Sequence, residues 1–137
     1  MIVAIRIVGE IGLSREEKEN LFNLRLRRKY SCILLKDTSR LSDRVKARIC
    51  FGEIDKETLK LLISKRARKS GDKPVAESAD SIIKKLEEGK TLSDMEIKPF
   101  FRLHPPKGGF KKSTKVLYPK GILGENKQIN DLLRRML

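Results

Sequence analysis

The first third of the chain alternates between short apolar runs and polar segments. In IVAIRIV, residues 2–8, β-branched side chains recur at every second position, and two more apolar runs, SCILLKD and ICFGEI, occupy residues 31–37 and 49–54. Short apolar runs that alternate in this way and are bounded by glycine are typical of β-strands. The pattern therefore predicts three strands, the last one ending near Gly52.

Helical signals lie between these strands. Ser14 and Glu17 have the Ser-x-x-Glu spacing of a capping box, and the basic run RLRRK, residues 25–29, suits the negative end of the same helix. Residues 38–48 predict a polar turn that leads into a short second helix. The order strand–helix–strand–helix–strand predicts an α+β core over residues 1–54, in which two helices cover a small sheet.

The rest of the chain contains three more helical patterns. The last is the clearest, because apolar residues recur at i, i+3, i+4 and i+7 from Ile129 to Met136, which is the spacing of one buried helix face. TKVLYP, residues 114–119, is either a loop or a strand that pairs with KPFFRLH, residues 98–104. Over residues 55–137 we expect an extension packed on the core, with helices near 55–69, 78–88 and 126–136, a strand near 99–104 and a basic loop at 105–115.

Composition is typical of a single-domain cytosolic protein. Of the 137 residues 39% are hydrophobic, and no apolar run approaches the roughly 20 residues that span a bilayer. The opening segment carries Arg6 within its apolar stretch and has no cleavage site, so it does not predict a signal peptide. Cys32 and Cys50 lie in apolar segments and one histidine cannot complete a zinc site, which predicts reduced, buried thiols and no metal site.

Positive charge is the strongest functional signal. Lys and Arg number 32 against 18 Asp and Glu, which gives a net charge of +14 and an isoelectric point near 10.0. Nucleic acid is the first candidate partner, because no single amphipathic basic helix predicts binding to a membrane surface. The charges are grouped, since no acidic residue occurs in residues 25–36, 60–69 or 97–124. For residues 60–69, solvated charges at a helix end explain the pattern as well as binding does.

The segment FRLHPPKGGFKK, residues 101–112, combines a rigid proline pair with a flexible glycine pair. The glycines leave room for main-chain N–H groups to approach a phosphate, and nearby lysines supply charge, so the segment predicts a clamp on a phosphate backbone. A nucleotide-binding loop is excluded, because neither GxxxxGK[ST] nor GxGxxG spacing occurs.

His104 is the only histidine of the chain. A catalytic histidine needs a nucleophile or an orienting carboxylate, and its near neighbours in sequence provide neither. Two other roles stay open. The ring is a hydrogen-bond donor or stacking surface for RNA, or it is a packing residue at the end of a strand.

Four stretches in one order resemble a known family. FRLHPPKGGFKKSTK, the closing INDLLRRML, the early LFNLRLRRKYSCILLKDT and the central CFGEIDKETLKLLI together resemble the archaeal form of the large-ribosomal-subunit protein L-thirty, whose eukaryotic relative is called L-seven. The resemblance runs from residue 2 to residue 137. It implies a ferredoxin-like βαβαβ core with a small antiparallel sheet, matching residues 1–54, and a helical and strand extension shared by the archaeal and eukaryotic proteins.

The resemblance also implies a function. The family is a structural constituent of the large ribosomal subunit, without enzymatic activity or cofactor, that binds large-subunit ribosomal RNA near the 5S RNA and contacts neighbouring ribosomal proteins. The implied RNA-facing residues are Arg25, Arg27, Arg28, Lys29, Thr38, Arg40, Arg44, Arg102, His104, Lys107, Gly108, Gly109, Lys111 and Lys112. The chain lacks the long basic arm of the eukaryotic proteins, and residues 69–91 match no family segment, so their role stays open.

Other functions fit the sequence less well. A ribosome-assembly factor of the same fold would share the basic surface, but such factors usually carry added tails. An RNA-modifying enzyme needs a general acid–base constellation or a metal cluster, and the sequence shows neither. A DNA-binding protein would need two helices joined by a suitable turn, for which the chain has no clear candidate.

Overall fold

The structure, a computed structural model, describes residues 1–9, 11–36, 39, 41–69, 73–74, 78–95, 97–110, 112–118 and 120–137. The strands are β1 (Ile2–Arg6), β2 (Ser31–Leu35), β3 (Ile49–Glu53), β4 (Arg68–Lys69), β5 (Lys73–Pro74), β6 (Phe101–Arg102), β7 (Ser113–Leu117) and β8 (Gly121–Glu125). The helices are α1 (Arg15–Asn23), α2 (Asp43–Lys46), α3 (Lys56–Arg66), α4 (Ala79–Glu87) and α5 (Ile129–Met136), with a 3-10 turn at Ser93–Met95.

Side-chain caps explain where the helices begin. The Ser14 hydroxyl accepts a hydrogen bond from the Glu17 backbone N–H at 3.2 Å, and the Asp55 carboxylate accepts one from the Thr58 N–H at 2.7 Å. Ser42 and Ser78 cap α2 and α4 in the same way. Each cap satisfies a backbone donor that the first helical turn leaves unpaired.

The first three strands form the small antiparallel sheet that the sequence predicted. β1 lies between β2 and β3 and runs antiparallel to both, with Val3 opposite Leu34 on one side and opposite Gly52 on the other. This arrangement confirms the α+β class and agrees with the expected ferredoxin-like core. β3 continues one residue past Gly52, slightly further than predicted.

The extension adds one strand to one edge of this sheet and two strands to the other edge. The complete order is β6-β2-β1-β3-β8-β7, with β6 antiparallel to β2 and β8 parallel to β3. The sequence did not predict β8, because GILGE contains only two consecutive large apolar residues. Segment 114–119 contributes to β7, which pairs with β8 and not with the strand near residue 101, so the suggested pairing with residues 98–104 was wrong.

Helices pack on both faces of the sheet. α1 and α2 cover one face, where Leu21 and Val45 contact Ala4, Ile33 and Phe51. α3, α4 and α5 cover the other face, where their apolar residues pack against Val3, Ile5, Cys32 and Cys50. Both cysteines are buried and free, as predicted. The division of the chain after residue 54 stays a prediction.

Several elements are shorter than the sequence suggested, among them α3, α5 and β6. α3 ends at Arg66 and not near residue 69, because Ala67 is extended and Arg68 begins β4, which pairs with β5. The strand expected near 99–104 is reduced to Phe101–Arg102. Prolines at positions 99 and 105 limit it on both sides, since proline cannot donate to a strand ladder.

Candidate nucleic-acid interface

The basic run forms a tight turn directly beyond the end of α1, next to the negative helix end where the sequence placed it. We call residues 25–30 the basic turn. Its first bonds run from the Arg25 N–H to the Phe22 carbonyl at 3.0 Å and from the Leu26 N–H to the Leu21 carbonyl at 2.9 Å, which is the Schellman pattern of a helix end. Arg25 therefore has a φ of 65°, a left-handed conformation that glycine usually occupies in this motif. The basic side chains lie just beyond the helix and not in its last turn.

A buried arginine holds the basic turn in place. Arg6 is only 4% exposed, and its guanidinium donates to the Leu26 carbonyl at 2.9 Å and to the Val8 carbonyl at 3.0 Å. The Arg6 carbonyl in turn accepts the Tyr30 N–H at 2.7 Å. A buried charge is tolerated only when its donors are paired. Arg6 is thus a positioning residue for the turn, and the sequence had marked it only as an interruption of an apolar strand.

Strand pairing brings the basic turn beside the second basic segment. Arg102 on β6 lies opposite Ser31 on β2, and the Leu103 N–H donates to the Tyr30 carbonyl at 3.1 Å. The Tyr30 ring stacks with Phe110, with ring centroids 6.3 Å apart. The two basic segments are therefore neighbours at the β6 edge of the sheet, although more than 70 residues separate them.

Several of the predicted basic side chains form cation–π contacts with aromatic rings. The Arg27 guanidinium lies 4.3 Å from the Phe22 ring centroid, the Lys29 ammonium 5.3 Å from that of Tyr30, and the Lys112 ammonium 5.0 Å from that of Tyr118. Phe22 is 55% exposed. Cation–π contacts of this kind keep long side chains in place while their charge still faces solvent.

The loop after β6, residues 105–109, is fixed to the end of α5; we call it the PPKGG loop. The His104 N–H donates to the Met136 carbonyl and the Lys107 N–H to the Arg135 carbonyl, both at 3.0 Å. The Arg135 guanidinium donates to the Lys107 carbonyl at 3.1 and 3.2 Å and also to the Gly109 carbonyl. Loop and helix end thus satisfy each other's backbone groups.

The glycine pair of this loop has two different roles. Gly108 and Gly109 have φ angles of 77° and 74°, so both need the conformational freedom of glycine. The Gly109 N–H donates to the Pro106 carbonyl at 3.0 Å and closes the turn, which removes it as a phosphate donor. Among the described residues the Gly108 N–H has no such partner. Of the groups in the predicted phosphate clamp, the Gly108 amide and the lysine side chains remain as donors for a phosphate.

Two further basic residues lie beside acidic partners. Arg44 forms an ion pair with Glu16 at 2.9 Å, so its charge is already matched by an acid. Lys60, from the third acid-free stretch, pairs with Asp80 at 3.3 Å, although that stretch has no acid of its own. His104 is exposed at the start of the PPKGG loop. Thr38, Arg40 and Lys111 lie outside the described residues.

The described part of the chain offers little for other chemistry. No group of three His, Cys, Asp or Glu side chains within it could hold a metal ion. None of its helices has the length and apolar character needed to cross a membrane. Burial raises the pKa of the Cys50 thiol to about 12 and that of Cys32 further still, so neither is a nucleophile at neutral pH.

A second group of cations lies around Phe100. Arg66, Arg68, Lys98 and Arg102 line one cleft with this ring. The sequence had placed only Arg102 in the interface and had left residues 60–69 undecided. Neither this grouping nor the anchoring role of Arg135 could be found from local patterns, because both depend on contacts between segments far apart in the chain.

Comparison with known proteins gives one consistent result, although no family model matches the chain. It is 36% identical to large ribosomal subunit protein uL30 of Archaeoglobus fulgidus over 152 aligned positions, covering 99% of each chain. It is also 36% identical to uL30 of Aeropyrum pernix, covering 100% of this chain and 99% of the relative. The uL30 protein of Nitrosopumilus maritimus is 36% identical as well, over 99% of this chain and 97% of its own length.

Proposed function

Because the chain belongs to the uL30 family, in its archaeal form, we propose that it binds large-subunit ribosomal RNA near the 5S RNA through the basic turn and the PPKGG loop. As a member of this family it is a structural protein of the large ribosomal subunit in the cytoplasm, and not an enzyme. Ribosomal RNA and neighbouring ribosomal proteins are its partners. The family identity also favours this function over that of an assembly factor.

One observation carries the proposal for the RNA-binding surface. The β6 edge joins two acid-free basic segments through the Leu103–Tyr30 backbone bond and the Tyr30–Phe110 ring contact. Exposed aromatic rings and cations together are typical of RNA-binding surfaces, where the cations bind phosphates and the rings stack on bases. Both segments are also rigidly held, one by Arg6 and the other by Arg135. A preformed surface loses little entropy on binding.

A salt titration tests Lys107 of the PPKGG loop together with Lys111 and Lys112, which follow the loop in the sequence. Each phosphate that a lysine neutralises adds roughly 0.7 to 0.9 to the slope of log affinity against log salt concentration. Replacing Lys107, Lys111 and Lys112 together with Gln should therefore lower the slope by about 2 to 3 units. The measurement is filter binding to a large-subunit rRNA fragment, after circular dichroism confirms that the variant is folded.

The matched control replaces three lysines of the α4 region, Lys84, Lys85 and Lys90, with Gln. This variant has the same net charge as the loop variant, so an effect of overall charge would lower both slopes equally. We expect the control to keep nearly the wild-type slope. Equal slopes for the two triple variants would show that Lys107, Lys111 and Lys112 are only solvated surface charges.

Position near the 5S RNA can be tested by tethered cleavage. An iron chelate attached to Lys107→Cys should react at this site alone, because Cys32 and Cys50 are buried. In reconstituted large subunits, hydroxyl radicals from this probe should cut both the large rRNA and the 5S RNA. Probe-treated wild-type protein gives the background. Cleavage of the large rRNA without any cut in the 5S RNA would contradict the proposed location.

A further inference from the structure

We propose that the cleft around Phe100 is a pocket for two phosphates of a sharply turned RNA backbone. We call it the Phe100 pocket; it is lined by Arg66, Arg68, Lys98, Phe100 and Arg102. The inference rests on the proposed function and adds a specific site to it. The RNA feature that it recognises is a bend in the backbone and not a base sequence.

The pocket forms where three segments meet. Arg66 ends α3 and Arg68 begins β4. The Lys98 N–H donates to the Arg68 carbonyl at 2.9 Å, so the segment that precedes β6 is hydrogen-bonded to β4. The resulting cleft has a volume of about 210 Å³. Its position next to β6 makes it continuous with the edge that carries the basic turn, because Arg102 lies opposite Ser31.

Phe100 orients the cations. The Arg102 guanidinium carbon lies 5.8 Å and the Lys98 ammonium 5.9 Å from the centre of the ring. Phe100 itself is half-buried and packs against the core on the α1 side of the sheet, so it is a fixed support. Cations over an aromatic ring lose little freedom when an anion arrives, because they are already in place.

Unpaired donors point to an external acceptor. The Arg66 Nε is buried and has no hydrogen-bond partner among the described residues. Buried donors without a partner are rare, and a bound phosphate oxygen would supply the acceptor for this one. Arg68 donates one guanidinium N–H to the Ala67 carbonyl at 2.9 Å. Among the described residues the Arg102 guanidinium has a cation–π contact with Phe100 but no hydrogen bond or ion pair. The three guanidinium groups thus retain most of their donors for a ligand.

Charge indicates that the ligand is a multiple anion. Within the described residues, none of the three arginines has an ion pair with a carboxylate, whereas Lys60, on the same helix as Arg66, pairs with Asp80. Three like charges around one small cleft repel each other, and one phosphate would neutralise only part of them. Arginine forks match phosphate oxygens in pairs. Two neighbouring phosphates, brought together by a turn in the backbone, fit this arrangement.

Phosphate-ethylation interference tests the pocket directly. Ethylation removes the charge of single phosphates in a large-subunit rRNA fragment, and fragments that still bind the protein are then mapped. The variant Arg66→Gln/Arg102→Gln should lose interference at two or more phosphates that matter for the wild type. Its salt slope should fall by about 1.4 to 1.8 units, at roughly 0.7 to 0.9 per lost contact.

Three comparisons make the outcome decisive. The double variant Arg66→Lys/Arg102→Lys keeps the charges and should keep the salt slope. The double variant Arg15→Gln/Lys84→Gln removes two exposed cations elsewhere and should change neither the interference pattern nor the salt slope. If the first double variant does not fold, the single exposed variant Arg102→Gln should lose interference at one or more of the same phosphates. An unchanged interference pattern and slope would overturn the pocket and leave the proposed function standing. Failure of the wild-type protein to bind the fragment would overturn both.

Discussion

Backbone conformation at two residues is unusual at the proposed RNA-binding surface. Arg25 and Tyr30 have φ angles of 65° and 67°, which cost a non-glycine residue roughly 1 to 2 kcal/mol each. Glycine would remove this cost, but it would also remove a guanidinium from one end of the basic turn and an aromatic ring from the other. Strained residues of this kind cluster at functional sites. The two outliers therefore support a binding role for the side chains that they present.

Gly52 shows the opposite case, a glycine required by close packing. A β-carbon at this position would lie 2.6 Å from the Asn126 carbonyl oxygen and 2.8 Å from the Ile129 Cγ2 atom. The segment between β8 and α5 crosses β3 here, and the Asn126 N–H donates to the Phe51 carbonyl at 2.8 Å. Only the absence of a side chain allows the two backbones to approach so closely.

Gly52→Ala should therefore destabilise the protein. Because the nearest atom is backbone and cannot rotate away, we expect a loss of roughly 1 to 3 kcal/mol in the free energy of unfolding, as for other overpacked core sites. Urea unfolding followed by circular dichroism measures it. Gly9→Ala is the control, since nothing lies within 4 Å of its added carbon. A loss no larger than that of the control would mean that the crossing segment can move.

At the level of elements, the end of α5 and the PPKGG loop support each other. α5 buries Ile129, Leu132, Leu133 and Met136, and this anchoring fixes the position of Arg135 at its exposed end. Arg135 then holds the Lys107 and Gly109 carbonyls, so the loop is only as rigid as the last turn of the helix. A helix that looks purely structural in the sequence thus positions a loop of the proposed interface.

Arg135→Gln should loosen the loop without unfolding the helix. We expect faster hydrogen exchange at the Lys107 and Gly109 amides and a threefold to tenfold loss of rRNA affinity, up to about 1.4 kcal/mol. Two-dimensional NMR and filter binding measure the two effects.

Its neighbour provides a matched control, because Arg134 binds Thr58 and Asp55 and not the loop. Arg134→Gln should leave exchange in the loop unchanged. If both variants altered the loop equally, general fraying of α5 and not the specific Arg135 contacts would explain the effect.

For the molecule as a whole, the central sheet joins the first 54 residues and the extension into one hydrogen-bonded unit. β1 lies inside the sheet, β8 extends it beyond β3, and α3, α4 and α5 pack on one face as a single apolar cluster. Two cores therefore share one sheet. Opening either core exposes apolar residues of the same central strands, which favours cooperative unfolding.

Hydrogen exchange should show which strands of the sheet are most strongly protected. Amides of β1 and of Ile33 to Leu35 should exchange most slowly, because they open only with global unfolding, and those of β8 should follow closely. The edge strands β6 and β7 should exchange faster. Slow exchange confined to residues 55–137 would contradict the central role of the first strands, and fast exchange throughout β8 would show that the extension opens independently.

Local information in the sequence was sufficient for many features of this protein. Short apolar runs marked β1, β2 and β3, a capping box marked the start of α1, and helical spacing marked α5. These signals act over a few residues, because the side-chain periods of strands and helices are 2 and 3.6 residues. Net charge and the grouping of lysines and arginines likewise follow from composition alone and indicated a nucleic-acid partner.

Only the tertiary structure decided which basic residues lie close together. It placed Arg102 beside the basic turn, Arg135 under the PPKGG loop, and Arg66 and Arg68 around Phe100, while Arg44 and Lys60 were paired with acids. It also brought β8 into the sheet although the strand has a weak local pattern. In each case the partners are separated by more than ten residues, and periodicity carries no information over that distance. Which distant segments meet is determined by burial of both sheet faces and by pairing of the strand edges.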